Sequence, residues 1–231
     1  AAAVRALRSN ERRGGATVVA VLATLGEGAL PAIVEAVAEE QDLAVRKRLL
    51  EAIARQGQLA VRALLPCLDD PRWYVARNAI LILRKVGYRE MVPRLKPLLA
   101  GAAPQLAAEI LKALVAFEDP EWLRLLLREL ESGDEQRQLA AIAVAARILH
   151  PQVVRALVER LRERLGARLR EDAAALALIS ALGRLRDPAA LPALQQVVEL
   201  KQWRYPYSIA VLRREAAAAI ALLEGPAAHR A

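Results

Sequence analysis

Side chains that carry catalytic chemistry are scarce in this chain of 231 residues. It contains one Cys, two His, four Ser and two Thr, and aromatic residues make up 3% of it. Acid–base and nucleophilic catalysis need such groups beside an activating partner, and here they are scattered along the sequence. The composition therefore indicates a protein that is not an enzyme, and no spacing of residues suggests a metal site, a cofactor site or a Gly-rich phosphate loop.

The chain also lacks the mixture of β-branched and aromatic residues that strands favour. It is instead dominated by two strong helix formers, with 49 Ala and 40 Leu. The hydrophobic content of 55% is enough to build a core, which excludes a disordered chain. The fold class predicted from composition is all-α, and a β-sandwich is excluded.

Cysteine use and apolar runs bear on the compartment. The single Cys67 lies inside the apolar run LLPCL, so no intrachain disulfide can form and the thiol is predicted to be a core residue. The apolar run Ala16–Leu25 is about half of the ~20 residues that cross a bilayer and lacks the layout of a signal peptide. We therefore expect a cytoplasmic protein without a membrane span. Because the chain opens on Ala1, we expect it to be a fragment of a longer protein, and its oligomeric state stays open.

An internal repeat is the main signal. The segment VRKRLLEAI from Val45 can be laid over VARNAILIL from Val75, and each is followed by a glycine twelve residues after its valine. Continuing in the same register gives equivalent positions that recur every 30 to 38 residues, at Gly14, Val45, Val75, Leu106, Arg137, Ala174 and Leu212. Five or more units of this length are typical of a solenoid.

Each unit is predicted to contain two helices. Two consecutive units give the pairs Leu43–Gln56 with Leu59–Leu68, and Pro71–Val86 with Arg89–Leu99, with Asp70 as N-cap of the third of these helices and Pro71 at its first position. Glycines are expected where first helices end, at Gly57, Gly87 and Gly183. Prolines recur near the start of second helices, at Pro31, Pro93 and Pro192. A buried apolar stripe is predicted at Val153, Val154, Leu157, Val158 and Leu161.

The strings DDPRWYVARNAILILRKVG and ALGRLRDPAALPALQQVV resemble HEAT repeats of the short bacterial type that also occurs in phycobilisome lyases. The resemblance extends from about Ser9 to Pro226. It implies one solenoid domain over residues 1–231, an α-α superhelix of about six two-helix repeats with a partial unit at each end. It also implies that second helices line the concave side and that the chain is a binding scaffold. The His-Glu pair of the metal-binding hydroxylase relatives is missing, because His150 precedes Pro151 and His229 lies near the end.

Two segments depart from the repeat period. Extra residues in VERLRERLGARLRED predict a longer second helix in the fifth unit, with a solvated charged face over residues 155–170 that includes Arg168 and Arg170. An insertion, LKQWRYPYSIAV, brings Trp203, Tyr205 and Tyr207 close together in the sequence. Docking of this loop on the last repeat of the same chain is the favoured interpretation, and a partner site is the alternative.

Candidate binding residues come from the basic balance, a net charge of +8 and a pI of about 10.2. The repeat register places Arg62, Arg124 and Arg155 in one column of second helices, with Arg128 one turn after Arg124. Such a column can clamp carboxylates or phosphates. Pairing with glutamates of neighbouring helices is the alternative, and it is the favoured interpretation.

The stretch 72–96 is the most basic part of the chain. It has seven Arg and Lys residues, Arg94 among them, against one acid, Glu90. Trp73 and Tyr74 lie within it, and Trp122 is added as a further aromatic anchor. At least one of Trp73 and Tyr74 is expected to pack between repeats. For Trp73, a place in the core and a contact with a partner are equally expected.

The resulting prediction is a non-catalytic protein–protein interaction scaffold that presents a curved surface bearing arginines and aromatics. We expect it to be a module of a larger bacterial regulatory or assembly protein whose partner is an acidic protein segment or helix. The alternative is a nucleic-acid-binding solenoid that uses basic concave columns, resembling the HEAT-like DNA glycosylases. The two differ in whether acids interrupt the arginine columns.

Overall fold

The computed structural model describes residues 50–51, 53–166, 173–200 and 206–225. Within these ranges every regular element is a helix and no strand occurs, which confirms the all-α prediction. Most of the predicted helix Leu43–Gln56 precedes the described part of the chain. Several other predictions also lie outside it, namely those on Gly14, Pro31, Val45, Arg168, Arg170, Trp203, Tyr205 and His229.

The chain forms two compact units, residues 1–119 and residues 120–231. In the first unit, residues 50–51 and 53–54 are helical and four further helices follow. These are α1 (Gln58–Leu64), α2 (Trp73–Val86), α3 (Val92–Leu99) and α4 (Pro104–Ala116). Short 3₁₀ turns lie before α2 and α3, at Pro66–Asp69 and Arg89–Met91.

The second unit contains six helices within its described ranges. They are α5 (Trp122–Leu130), α6 (Glu135–Ala145), α7 (Pro151–Gly166), α8 (Ala173–Leu185), α9 (Leu191–Val198) and α10 (Pro206–Glu224), with a 3₁₀ turn at Pro188–Ala190 before α9. The second helix of the fifth repeat, α7, has 16 residues, whereas its counterparts α3, α5 and α9 have 8 or 9. The predicted lengthening is therefore confirmed.

The repeat register matches the helix starts. Val75, Leu106 and Arg137 are each the third residue of a first helix, in α2, α4 and α6. Within each unit a first helix packs on the first and second helices that precede it: α4 contacts α2 and α3, α8 contacts α6 and α7, and α10 contacts α8 and α9. This stacking is the arrangement of an α-α solenoid, as predicted.

Four first helices are followed by a residue with positive φ at the same position of the repeat, whereas α6 ends at Ala145 without one. Gly57 (φ 58°) and Gly87 (φ 83°) confirm the prediction at two of these ends. At the second end, the backbone N–H groups of Gly87 and Tyr88 donate to the carbonyls of Arg84 and Leu83. The same position, 31 residues after Gly87, is Glu118 (φ 51°), and after α8 it is Arg186 (φ 53°). Both are unusual conformations for residues with a side chain.

Gly183 lies near the end of α8, as predicted, but the left-handed residue that follows the helix is Arg186, so the expected turn at this glycine is wrong. It lies inside the helix, where a Cβ would be 2.7 Å from Cβ and 2.9 Å from Cα of Ala219 on α10. The glycine allows α8 and α10 to approach closely, which is a matter of packing between helices and not of helix termination.

The predicted cap of α2 is also wrong. The helix begins at Trp73, two residues after Pro71, and its N-cap residue is Arg72. Asp70 uses its carboxylate on Arg72 instead, with Oδ1 accepting from the backbone N–H at 2.9 Å and from Nε at 3.0 Å. The kind of cap that was predicted for Asp70 occurs instead at Asp134. Its Oδ1 accepts hydrogen bonds from the N–H groups of Gln136 and Arg137 at the start of α6.

Proline positions set the bounds of second helices. Pro93 and Pro192 are the second residues of α3 and α9, as predicted. The helix predicted to run to Leu68 ends at Leu64, because Pro66 has no N–H to donate and disfavours a continued helix. In α7 the predicted stripe is buried at all five positions, and Cys67 is buried as well.

Candidate interaction surfaces

In the first unit, two of the predicted arginines lie on second helices. Arg62 is exposed on α1. Arg94 is exposed on α3, and its Nη2 lies 2.5 Å from Oδ2 of Asp69, at the end of the preceding repeat. Arg94 thus pairs with an acid of a neighbouring repeat.

An aromatic cluster occupies the start of α2. The rings of Trp73 and Tyr74 meet edge to face at 6.0 Å between centroids, and Cζ of Arg72 lies 6.0 Å from the Tyr74 centroid. Tyr74 is half-buried, whereas 40% of Trp73 is exposed. Trp73 is thus the more available of the two rings for a partner.

The hydrogen bonds from Arg72 hold the pKa of the Asp70 carboxyl below its ordinary value.

Most of the positive charge in the stretch 72–96 is neutralised within the unit. Five of its seven basic side chains lie within ion-pair distance of a carboxylate, in the pairs Arg72–Asp70, Arg84–Glu109, Lys85–Glu51, Arg94–Asp69 and Lys96–Asp119. Four of these five pairs join different repeats. The basic stretch is therefore largely an internal network and not an uninterrupted positive surface.

Two acids in this network are buried, and sequence analysis missed them. Glu109 on α4 is 3% exposed and is contacted by Arg84 Nη2 at 3.5 Å and Lys112 Nζ at 2.8 Å. Asp119 is also buried and lies 2.9 Å from Lys96 Nζ. For Glu109 the sequence did carry a signal, because this acid stands on the apolar face of the helix PQLAAEILKAL. A carboxylate buried on such a face requires a cation nearby.

In the second unit, three predicted arginines lie on α5 and α7. The side chain of Arg124 is 64% exposed, that of Arg128 is 52% exposed, and Arg155 on α7 is exposed. Helices α5 and α7 are in contact. Arg124 and Arg155 are 31 residues apart and occupy equivalent repeat positions on these two neighbouring helices.

Acids lie among these arginines. Arg124 pairs with Glu121, and Arg128 Nη2 is 3.7 Å from Oε1 of Glu129. The main partner of the buried Glu129 is Arg137, whose Nε and Nη2 donate to Oε2 at 3.0 and 2.7 Å. Arg155 has no ion-pair partner within the described ranges. These arginines are thus accessible but are only partly balanced by neighbouring acids.

Trp122 lies at the start of α5 and packs within its own unit. The half-buried indole meets the His150 ring edge to face at 5.6 Å between centroids. His150 in turn accepts a hydrogen bond at Nδ1 from the backbone N–H of Gln152, at the start of α7. Beside the pair, Leu149 is 71% exposed. The indole therefore contacts the turn between the two helices of the next repeat and is also partly open to solvent.

The remaining candidates divide in the same way. On α7, Arg160 pairs with Glu163 at 2.6 Å, as the spacing predicts, and Arg164 donates to the side-chain oxygen of Gln138. Tyr207 is 78% exposed, so the expectation that it docks on the last repeat is wrong for this residue.

No group of three or more His, Cys, Asp and Glu side chains within the described ranges could hold a metal ion. None of the helices that the structure describes is long and apolar enough to cross a membrane.

Comparisons with known proteins identify the repeat. The sequence profile of the family described as HEAT repeats matches residues 30–106 and again residues 61–136. Among solved structures, human deoxyhypusine hydroxylase in complex with glycerol is similar at 18% identity and a TM-score of 0.41, over 96% of this chain and 84% of that chain. No curated protein matches the sequence. The family match is to HEAT repeats in general, so the likeness to the phycobilisome-lyase type stays a prediction.

Proposed function

Because this chain is a HEAT-repeat protein, a repeat scaffold in class, we propose that it is a non-catalytic module that binds an acidic segment or helix of another protein. HEAT repeats commonly mediate protein interactions, and each repeat adds a helix to a continuous surface. The scarcity of Cys, His, Ser and Thr supports a role without catalysis. The expected setting, a larger bacterial assembly or regulatory protein, is part of the same proposal.

The observation that carries the proposal is the contact between helices α5 and α7, each of which bears exposed arginines. They carry Arg124 and Arg155 at equivalent positions, with Arg128 one turn further along α5. Guanidinium groups on neighbouring helices suit the carboxylates of an acidic helix, since each can bind a carboxylate through two N–H groups. The apolar Leu149 and the accessible part of Trp122 lie at the starts of the same helices and supply apolar contact area.

The distribution of acids favours a protein over nucleic acid. Binding to a phosphate backbone is driven by unopposed positive charge. Here Glu121 pairs with Arg124, and Glu159 and Glu163 are exposed on α7 between and beyond the basic positions. In the first unit, five of the seven basic side chains of the stretch 72–96 are paired as well. Interleaved acids weaken phosphate binding and are compatible with a mixed peptide surface.

Fluorescence anisotropy with labelled probes tests the proposal. The probes are a designed acidic amphipathic helix with apolar anchors, single- and double-stranded DNA, and RNA, each over a salt series. We expect the peptide to bind near physiological salt. The variant Arg124→Ala/Arg155→Ala should weaken peptide binding about tenfold or more, because interface arginines often contribute more than about 1 kcal/mol each.

The matched control is Arg147→Ala/Arg184→Ala, which removes the same charge from exposed positions elsewhere in the second unit. It should leave peptide binding within about twofold of the unmodified chain. Equal loss in both variants would show binding through net charge alone and would contradict the proposed surface. Binding of DNA or RNA that persists near physiological salt, without peptide binding, would establish the nucleic-acid alternative.

A further inference from the structure

Three second helices of the second unit expose equivalent positions. An exposed proline stands two residues before α5, at the first residue of α7 and at the first residue of the 3₁₀ turn that leads into α9. The residues four and eight positions after each proline are exposed as well. Helix α7 contacts both α5 and α9. The exposed set consists of Pro120, Arg124 and Arg128 for α5, Pro151, Arg155 and Glu159 for α7, and Pro188, Pro192 and Gln196 for α9.

The charge of this exposed set falls from α5 to α9. Residues four apart lie about 40° apart around a helix, so each helix presents its members on one side. On α5 the set has two arginines and a net charge of +2, whereas on α7 the charges of Arg155 and Glu159 cancel. On α9 it has no charged residue. Charge complementarity therefore asks for acids at one end of a partner and for none at the other.

Glu159 is the acid that interrupts the exposed arginines. Arg155 lies four residues before it and Arg162 three residues after it, at separations that allow pairing on a helix. Within the described ranges neither arginine forms an ion pair with Glu159, and the pair on this helix joins Arg160 to Glu163 instead. The exposed carboxylate of Glu159 therefore repels an acidic side chain placed beside it and attracts a basic one.

The lengths of the second helices favour a partner that crosses them. Helices α5 and α9 have 9 and 8 residues, which is about 12 to 14 Å of length. The axes of packed helices lie about 8–10 Å apart, so a path over three of them is longer than either α5 or α9. A partner helix advances about 10 Å in seven residues. Residues one heptad apart on one side of the partner would thus meet successive second helices.

From this charge order we propose that the partner is an amphipathic helix that crosses α5, α7 and α9, with acids over α5, a basic residue opposite Glu159 and no charge over α9. The inference rests on the proposed function, because it requires that this surface binds a helix. The row of exposed prolines and the exposed Leu149 provide apolar contact along one edge. Glu159 is a specificity-determining residue in this arrangement, since it disfavours a uniformly acidic helix.

Two labelled helical peptides that differ in one residue test the role of Glu159. Both have three heptads, with glutamates in the first and uncharged residues in the last, and the middle heptad places either Lys or Glu opposite Glu159. In fluorescence anisotropy at low salt, the unmodified chain should bind the Lys peptide about threefold or more tightly than the Glu peptide. Glu159→Arg should reverse this preference and Glu159→Gln should remove it. Glu135→Arg makes the same charge change at an exposed acid of α6 and should keep the preference.

A third peptide tests the path over α9. It is the Lys peptide with one Glu in its last heptad, and Gln196→Arg should bind it about threefold more tightly than the unmodified chain does. Equal affinity would show that the partner does not reach α9 and would overturn the crossing.

The outcomes separate this inference from the proposed function. If the unmodified chain and Glu159→Arg show the same preference between the Lys and Glu peptides, or if neither shows one, the charge order is wrong. The proposed function still holds in that case if Arg124→Ala/Arg155→Ala weakens the binding of both peptides. Absence of binding by either peptide overturns both proposals.

Discussion

At the scale of single residues, Gly183 carries a packing constraint. We predict that Gly183→Ala destabilises the protein by about 1–3 kcal/mol, because the added Cβ would lie 2.7 Å from Cβ of Ala219. This cost exceeds the gain of about 1 kcal/mol that alanine brings to a helix interior. The measurement is urea unfolding followed by circular dichroism. Gly101→Ala is the control, since nothing lies within 4 Å of its Cβ. Equal stability of the two variants would contradict the close approach of α8 and α10.

Cys67 provides a second prediction at this scale. Burial raises the pKa of its thiol, and the nearby Asp70 carboxylate acts in the same direction. Because the thiolate is the reactive form, Cys67 should react with a thiol reagent such as DTNB far more slowly in the native protein than in guanidinium chloride. Rapid reaction of the native protein at neutral pH would show that the region around α1 opens readily.

At the scale of elements, the two aspartates near helix starts should behave differently. Asp134→Ala removes the two hydrogen bonds that cap α6 and should cost about 0.5–2 kcal/mol. Asp70→Ala removes the hydrogen bonds that the backbone N–H and the guanidinium of Arg72 donate at the surface, and it should cost less than about 1 kcal/mol. Thermal unfolding of both variants checks the order. A larger loss in Asp70→Ala would mean that this carboxylate supports the start of α2 after all.

The elements also show how far sequence reasoning reaches. The starts of α2, α4 and α6 were predictable because Val75, Leu106 and Arg137 follow one period, and Pro93 and Pro192 mark second helices by a local backbone preference. The period appears when segments of the sequence are compared and the proline preference is local, so neither signal depends on a contact in the folded chain.

The features that could not be predicted depend on partners distant in the sequence. The role of Gly183 depends on Ala219, 36 residues away, and Glu109 on α4 is contacted by Arg84, 25 residues before it. Asp70 failed as a cap because a neighbouring guanidinium binds the same carboxylate. Of the candidate site, the exposure of Arg124 and Arg155 followed from the repeat register, whereas their interleaving with Glu121 required the structure.

At the scale of the whole molecule, stability should be distributed locally. In a repeat protein most contacts join neighbouring repeats, so a perturbation spreads little along the chain. We predict that Gly183→Ala raises amide hydrogen exchange in peptides covering α8 and α10, and leaves exchange in α2 and α4 unchanged. Hydrogen exchange followed by mass spectrometry provides the comparison. A uniform rise across all peptides would indicate that the 231 residues unfold as one cooperative body.

The buried ion pairs have a consequence for how such a chain can change its length. Arrays of this kind grow and shrink by duplication or loss of whole repeats, and identical repeats would tolerate either event. Here Glu109 and Asp119 depend on Arg84 and Lys96 from the repeat before them. Excision of that 31-residue period would leave Glu109 with Lys112 of its own helix and would remove the contact between Asp119 and Lys96, so both buried carboxylates would lose a cation. Each buried carboxylate thus matches a cation of one particular neighbouring repeat, so we expect exchange of repeats within this array to destabilise the protein even though the helical period would permit it.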